Sequence, residues 1–408
     1  MNGARPVEPA AGMAGDVQAR RAGTGYAARL AAATPPDRDR GIDALRALAI
    51  AGVIIGHWLV TAWLVDAAGN LRVTSPLAFM PGLAPLSWVL QTLAVFFFVG
   101  GRTAAGGLAR AGDPRAWLRR RAGRLLRPAG PLLAMWAALL AAAAAGGVPM
   151  GTLRALVVPA LGPLWFLAVF GLLTVATPLL VRVRPTVLVL GAVAVVLAVD
   201  AARFALDSPS WVGWVNVAAG WLVPYALGLA RARGALTGRR AAGALLAGGA
   251  AATVVLVVAF GYPAAMIGVT GARVSNLSPP TLAAVSFGVA QVGLALLLHG
   301  PLSALMRRPR LWAGVATANV SAMTVFLWHQ TALTAVMLAV LPVDSGAPGL
   351  LAPPGSPAWL LHRMCWLPIP AALVAAACAA VARRGRSGGP LESRSDGNKP
   401  ARIPLDPR

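Results

Sequence analysis

Ten runs of about twenty apolar residues, separated by short arginine-bearing stretches, limit what this chain can fold into. A helix needs roughly 20 residues to cross the hydrocarbon core of a bilayer, and in lipid the backbone groups must be satisfied internally. The runs fall at 43–64, 84–104, 129–147, 157–180, 186–203, 213–230, 241–260, 281–299, 313–341 and 359–382. They predict an all-α, polytopic integral membrane protein with about ten transmembrane helices. The ninth run is long enough to tilt, or to extend past the bilayer at one end. A soluble fold is excluded by composition: 58% of the 408 residues are apolar and 12% are charged, about half the charged share of a soluble domain.

Charge placement orients the chain. With the N-terminus inside, the segments 1–42, 105–128, 181–185, 231–240, 300–312 and 383–408 lie on one side and hold 29 of the 36 Lys and Arg residues. Five arginines (Arg72, Arg154, Arg203, Arg273 and Arg363) fall on the other side, and Arg46 and Arg102 mark inner helix ends. This asymmetry follows the positive-inside rule, so both termini are expected in the cytoplasm and the protein in the cell membrane. The net charge of +23 therefore reads as topology, not as a nucleic-acid surface, which needs a solvated basic patch with interleaved aromatics. Residues 41–382 form the expected membrane domain, and 1–40 and 383–408 two disordered cytoplasmic tails. Residues 1–40 lack the apolar core of a cleavable signal peptide, so the first run is expected to act as an uncleaved signal-anchor. Cys365 and Cys378 share one predicted helix, roughly 20 Å apart, too far for a disulfide.

Ionisable groups inside a membrane are costly and are functional candidates by default. The first run, DALRALAIAGVIIGHW from Asp43 to Trp58, carries Arg46 and His57 eleven residues apart. That spacing puts both on one helical stripe, separated by roughly 16 Å along the axis. Asp43, three residues before Arg46, is placed for an i,i+3 ion pair. His329, in TVFLWHQTAL of the ninth run, lies at a depth similar to His57, so convergence of the two imidazoles on one cavity is a hypothesis beside that of a simple interhelical hydrogen bond. The inside loop RRRAGRLLRP offers Arg121 and Arg124 at i,i+3, with Arg119, Arg120 and Arg127 nearby. Such a cluster suits phosphates, or alternatively sets topology and meets anionic lipid. Trp165 and Tyr225 are candidate cavity residues, Asp200 and Arg203 a candidate ion pair, and His299 and His362 read as interface residues. Distant histidines without carboxylate or thiolate partners make a poor metal site, so no metal is expected.

In this order and spacing the residues resemble the acyltransferase-3 family of membrane acyltransferases, over roughly 38–382. The resemblance rests on Arg46 and His57 within IDALRALAIAGVIIGH and on the Arg-x-x-Arg of Arg121 and Arg124. Phe96 to Phe98, Leu164 to Leu167 (LWFL) and Leu327 to His329 (LWH) support it. Many members carry Ser-Gly after the aromatic run, where this chain has Gly100-Gly101, so no serine is available there. The resemblance implies acyl transfer from acyl-CoA, with acetyl-CoA the first choice as co-substrate, to a hydroxyl of a glycan, glycolipid or secreted metabolite. It further implies that Arg46, Arg121 and Arg124 bind the donor's phosphates or position its chain and that His57 is the catalytic imidazole; Asp43, His329 and Trp165 are accessory candidates from their placement in the runs. Two other classes compete. A transporter should show repeated halves or paired broken helices, and the sequence shows neither; a scaffold has no need of Arg46 and His57 on one stripe.

Overall fold

The computed structural model describes residues 25–206 and 208–387. Among them, ten helical segments are long and apolar enough to cross a membrane: Arg40–Val60, Pro81–Ala109, Pro114–Ala145, Met150–Leu180, Pro185–Ala205, Ser210–Ala232, Arg239–Ala259, Leu282–Leu305, Pro309–Val340 and Pro357–Val381. Each expected run has its counterpart. The expected tails at 1–24 and 388–408 lie outside the described residues. Within 25–40 the chain is helical over 25–32, and this segment is tied to Trp312, whose Nε1 donates to Thr34 Oγ1 at 2.8 Å and whose ring lies under the guanidinium of Arg40, 4.9 Å away.

The first span is helix α1 (Arg40–Val60), capped by Asp39, whose carboxylate accepts the Ile42 amide. Asp39 also accepts from Arg102 at 2.6 Å and from His299 at 2.8 Å. These contacts gather Arg38, Arg40 and Arg102 at one end of the bundle, the basic face. α1 ends at Thr61 and the chain turns into a hairpin, β1 (Ala62–Val65) against β2 (Leu71–Thr74), with Ala62 opposite Thr74. The first run was expected to stay helical to 64. The hairpin wins because the turn is strongly specified: Asp66 accepts the Ala68 and Asn70 amides, and Gly69 takes φ +79°, a conformation open to glycine.

Several spans are not continuous helices. The second is interrupted at Gln91–Thr92, before α2 (Leu93–Ala109). The Gln91 carbonyl freed there accepts from Gln291, and Thr92 Oγ1 ties the break to α1 by donating to the Ala49 carbonyl at 2.7 Å. The third combines α3 (Pro114–Leu126), started by Pro114 and capped by Asp113, with α4 (Ala129–Ala145). The fourth, expected to be unbroken over 157–180, is split at Gly162–Pro163 into α5 (Met150–Leu161) and α6 (Leu164–Leu180), because a proline cannot donate an amide to the preceding turn. After α7 (Pro185–Ala205), α8 (Val215–Ala232), α9 (Arg239–Ala259), α10 (Leu282–Leu305) and the 32-residue α11 (Pro309–Val340), the last span breaks before Pro368 into α12 (Pro357–Trp366) and α13 (Pro368–Ser387). Cys365 and Cys378 thus sit on two helices, not one, and both are free.

α1 and α8 lie inside the bundle: 56% and 67% of their spans are buried, against 17% for α9 and 11% for the last span. α8 crosses α2 with almost no gap. A Cβ on Gly101 would fall on the Tyr225 carbonyl oxygen, and one on Gly228 on the Phe98 carbonyl oxygen, so both positions require glycine for the helices to meet. At Gly100, where the resemblance leads one to expect serine, a Cβ would strike the Phe170 ring. Here the aromatic packing of α6 occupies the space a serine would need.

Candidate active site

α1 positions the two groups singled out by spacing, and α11 supplies partners for both. Arg46 sits near the basic face. Its Nη2 donates to Asp43 Oδ1 and its Nε to Asn319 Oδ1, both at 2.7 Å. Asn319 donates in turn to the Asp43 carbonyl at 2.8 Å, and Arg38 Nε donates to Asp43 Oδ2 at 2.7 Å. Asp43 therefore braces Arg46, as its i,i+3 spacing suggests, and fixes the direction of the guanidinium. Asn319 carries no sequence motif; the signal available was an amide within an apolar run.

Arg46 lines a cavity of about 210 Å³ that opens among α1, α2, α3, α6 and α11. Arg121 and Arg124 line it too, from the helix that their i,i+3 spacing presupposes, together with Thr103, Asn319, Phe96, Phe166 and Phe326. Arg121 is seated over the Trp117 ring, 5.6 Å from its centroid, and reaches Thr103 Oγ1 at 3.4 Å. Among the described residues no carboxylate lines this cavity. Three arginines around one space have the chemistry to hold an anion such as phosphate. Arg119, Arg120 and Arg127 remain outside it, exposed to solvent or lipid headgroups.

His57 lies three turns further along α1. Between it and the basic cavity is a constriction of about 40 Å³, lined by Ile50, Val53, Phe96, Pro163, Trp165, Phe166 and Phe326 along with His57 itself. The break at Gly162–Pro163 is what brings Trp165 and Phe166 here. Beyond His57 a third, larger cavity of about 440 Å³ continues toward the face opposite the arginines. Residues shared between neighbouring cavities put the three spaces in series: Ile50, Phe96, Phe166 and Phe326 at the first junction, Val53, His57, Leu93 and Leu277 at the second.

The two imidazoles converge. His57 Nδ1 and His329 Nε2 are 2.8 Å apart. The rings lie within 8° of parallel with centroids 5.1 Å apart, so they meet edge to edge in nearly one plane. The bond network fixes the tautomers of the neutral pair. His329 Nδ1 is 2.6 Å from the Phe326 carbonyl, which can only accept, so Nδ1 carries the proton and Nε2 is an acceptor. His57 must then donate from Nδ1, which leaves Nε2 with a bare lone pair. His329 is fully buried and is held further by Trp58, whose Nε1 donates to the His329 carbonyl at 2.9 Å. One residue on, Gln330 Nε2 donates to Thr61 Oγ1 at 2.9 Å. The end of α1 and α11 are thus held together beside the histidine pair.

The remaining candidates lie elsewhere. Tyr225 is fully buried and bonded to Thr177 Oγ1 at 2.6 Å; it packs α6, α8 and α2 and lines none of the three cavities. Asp200 and Arg203 form the expected pair at 3.9 Å, and Asp200 also accepts from Asn216 at 3.0 Å, from Tyr262 at 3.1 Å and from the Leu282 amide at 2.7 Å, a junction that fastens α7, α8 and α10. His299 serves the Asp39 cap.

A family model describing an acyltransferase domain matches residues 39–382. The chain belongs to the acyltransferase-3 family. It is accordingly a multi-pass membrane acyltransferase that transfers groups other than amino-acyl groups, and the transporter reading is set aside. No curated protein and no solved structure matches the chain. The family match encloses all three cavities, from Arg46 to Leu360.

Proposed function

We propose that this membrane acyltransferase moves an acyl group, acetyl in the first instance, from acyl-CoA to a hydroxyl of an acceptor that approaches from the opposite side of the membrane. The arginine distribution supports a cytoplasmic basic face and a place in the cell membrane. The observation that carries the reading is the series of cavities, with guanidinia at one end and the bare Nε2 of His57 in the middle.

The donor's phosphates bind Arg46, Arg121 and Arg124. The pantetheine arm spans roughly 15–20 Å, on the order of ten helical residues, which matches the eleven residues from Arg46 to His57. The thioester then reaches the constriction beside His57, whose volume of about 40 Å³ suits a short acyl group. His57 Nε2 takes the proton of the acceptor hydroxyl as its oxygen attacks the thioester carbonyl. A C–O bond forms, the C–S bond breaks, and the proton passes from His57 to the departing sulfur. His329 accepts the Nδ1 proton of His57 throughout and holds the productive tautomer; it is a positioning residue, and Asp43 plays that part for Arg46. Trp165 walls the constriction and keeps water from the thioester.

The test is transfer of label from [¹⁴C]acetyl-CoA to acceptor in membranes carrying His57→Ala or Arg46→Ala. Loss of transfer in both is expected; full acylation by both variants ends the assignment.

A further inference from the structure

The cavity beyond His57 is chemically unlike the one before it. Of the residues that line it, only His57, Ser87 and Gln91 are polar, and none is charged. Ser87 is already used: its hydroxyl donates to the Ala84 carbonyl at 2.6 Å and accepts the Met266 amide at 2.9 Å. Gln91 is 4% exposed, and its Oε1 has no partner among the described residues. The rest of the wall is Val, Leu, Ile, Pro and Gly, from the end of α1, the interrupted second span, Ile267 and Leu277 of the 261–280 loop, and Leu360. A polyhydroxylated sugar seated here would leave most of its hydroxyls without partners, each costing roughly tenfold or more in affinity. At about 440 Å³ the space falls in the range of small-molecule sites. Two of its lining residues, Leu86 and Val89, are 56% and 73% exposed, on a segment long and apolar enough to cross a membrane. The cavity thus has an open flank along the second span, at the apolar outer surface of the bundle.

We infer that this cavity receives the apolar body of an amphipathic acceptor, which enters from the lipid and presents a single hydroxyl to His57 beside the Gln91 amide. The inference rests on the acyl-transfer reading and narrows it: the acceptor is a molecule with an apolar portion next to its reactive hydroxyl, not a bare hydrophilic polysaccharide. A membrane glycolipid and a secreted apolar glycoside share that chemistry.

Membranes and culture medium from the native host, with and without the gene, are incubated with [¹⁴C]acetyl-CoA and, in parallel, with [¹⁴C]palmitoyl-CoA. Gene-dependent label is partitioned between organic extract and water-soluble polymer. The expected result is acetyl label in the organic extract; label retained with membranes identifies a lipid, and label in the medium a secreted glycoside. Val60→Asn and Gly56→Val, which make the cavity polar or fill it, should each cut that label about tenfold or more, while CoA binding to the purified variant in nanodiscs shows that the bundle is intact. Label in water-soluble polymer overturns the inference. So does a preference for palmitoyl-CoA, which would assign the cavity to the donor's chain, and so does undiminished labelling by both variants. No gene-dependent label from either donor removes the acyl-CoA reading itself, an outcome distinct from the other three.

Discussion

The histidine pair makes a demand on kinetics that few other arrangements would share. Replacing His329 with alanine removes the acceptor 2.8 Å from His57 Nδ1. The His57 N–H is then buried without a partner, and its ring is free to rotate or to move the proton to Nε2, where it can no longer accept one. An unpaired buried donor costs about 1–3 kcal/mol, and each 1.4 kcal/mol is about tenfold in rate, so kcat should fall by about 10- to 100-fold. The basic cavity and its arginines do not contact His329, so the KM for acetyl-CoA should stay within about twofold. Glutamine at this position places an amide oxygen near the former Nε2 and should restore part of kcat, whereas alanine should not. Initial rates in reconstituted vesicles, with acetyl-CoA varied on the arginine-rich side and a melting curve for each variant, separate these effects. A His329→Ala enzyme with unchanged kcat, or one whose defect is wholly in the donor KM, would falsify the tautomer argument.

Other consequences follow from the same contacts. Replacing Arg121 or Arg124 with glutamine should raise the acetyl-CoA KM about tenfold through a lost charge-assisted hydrogen bond and leave kcat nearly unchanged; a fall in kcat alone would move these residues off the donor. Gly101→Ala should lower the melting temperature and yield through about 1–3 kcal/mol of overpacking against the Tyr225 carbonyl, while Gly130→Ala, with nothing within 4 Å of its Cβ, should be neutral; equal stability of the two would contradict the close α2–α8 crossing. Asp39 gives a pH signature. Burial raises its pKa, but the His299 hydrogen bond, the Ile42 amide and the Arg102 charge outweigh it and hold the carboxyl at about 2. A depressed carboxylate stabilises above its ordinary pKa of 3.8 and loses that contribution as pH falls toward about 2. Fluorimetry between pH 5 and 2 should show destabilisation that Asp39→Asn reduces, and an unchanged profile would refute the cap's role.

The sequence by itself determined the class of molecule and half of the candidate site. Ten apolar runs leave a chain no alternative to spanning a bilayer, because length and backbone satisfaction are local properties. Arg46 and His57 are on one helix, and Arg121 and Arg124 on another, so helical geometry alone related the members of each pair. The groups that complete the site were decided by packing between distant segments. Asn319 meets Arg46 and His329 meets His57 across more than 270 residues of sequence, and nothing in the order of residues states which faces of α1 and α11 touch. Likewise, the proline break that carries Trp165 and Phe166 to His57 can be read as a break from Pro163, but not as the wall of a constriction. The tautomer of His57 belongs to this second category too: its Nε2 is bare only because the Phe326 carbonyl, His329 and His57 line up in one hydrogen-bonded chain, an alignment that exists only once α1 and α11 have met.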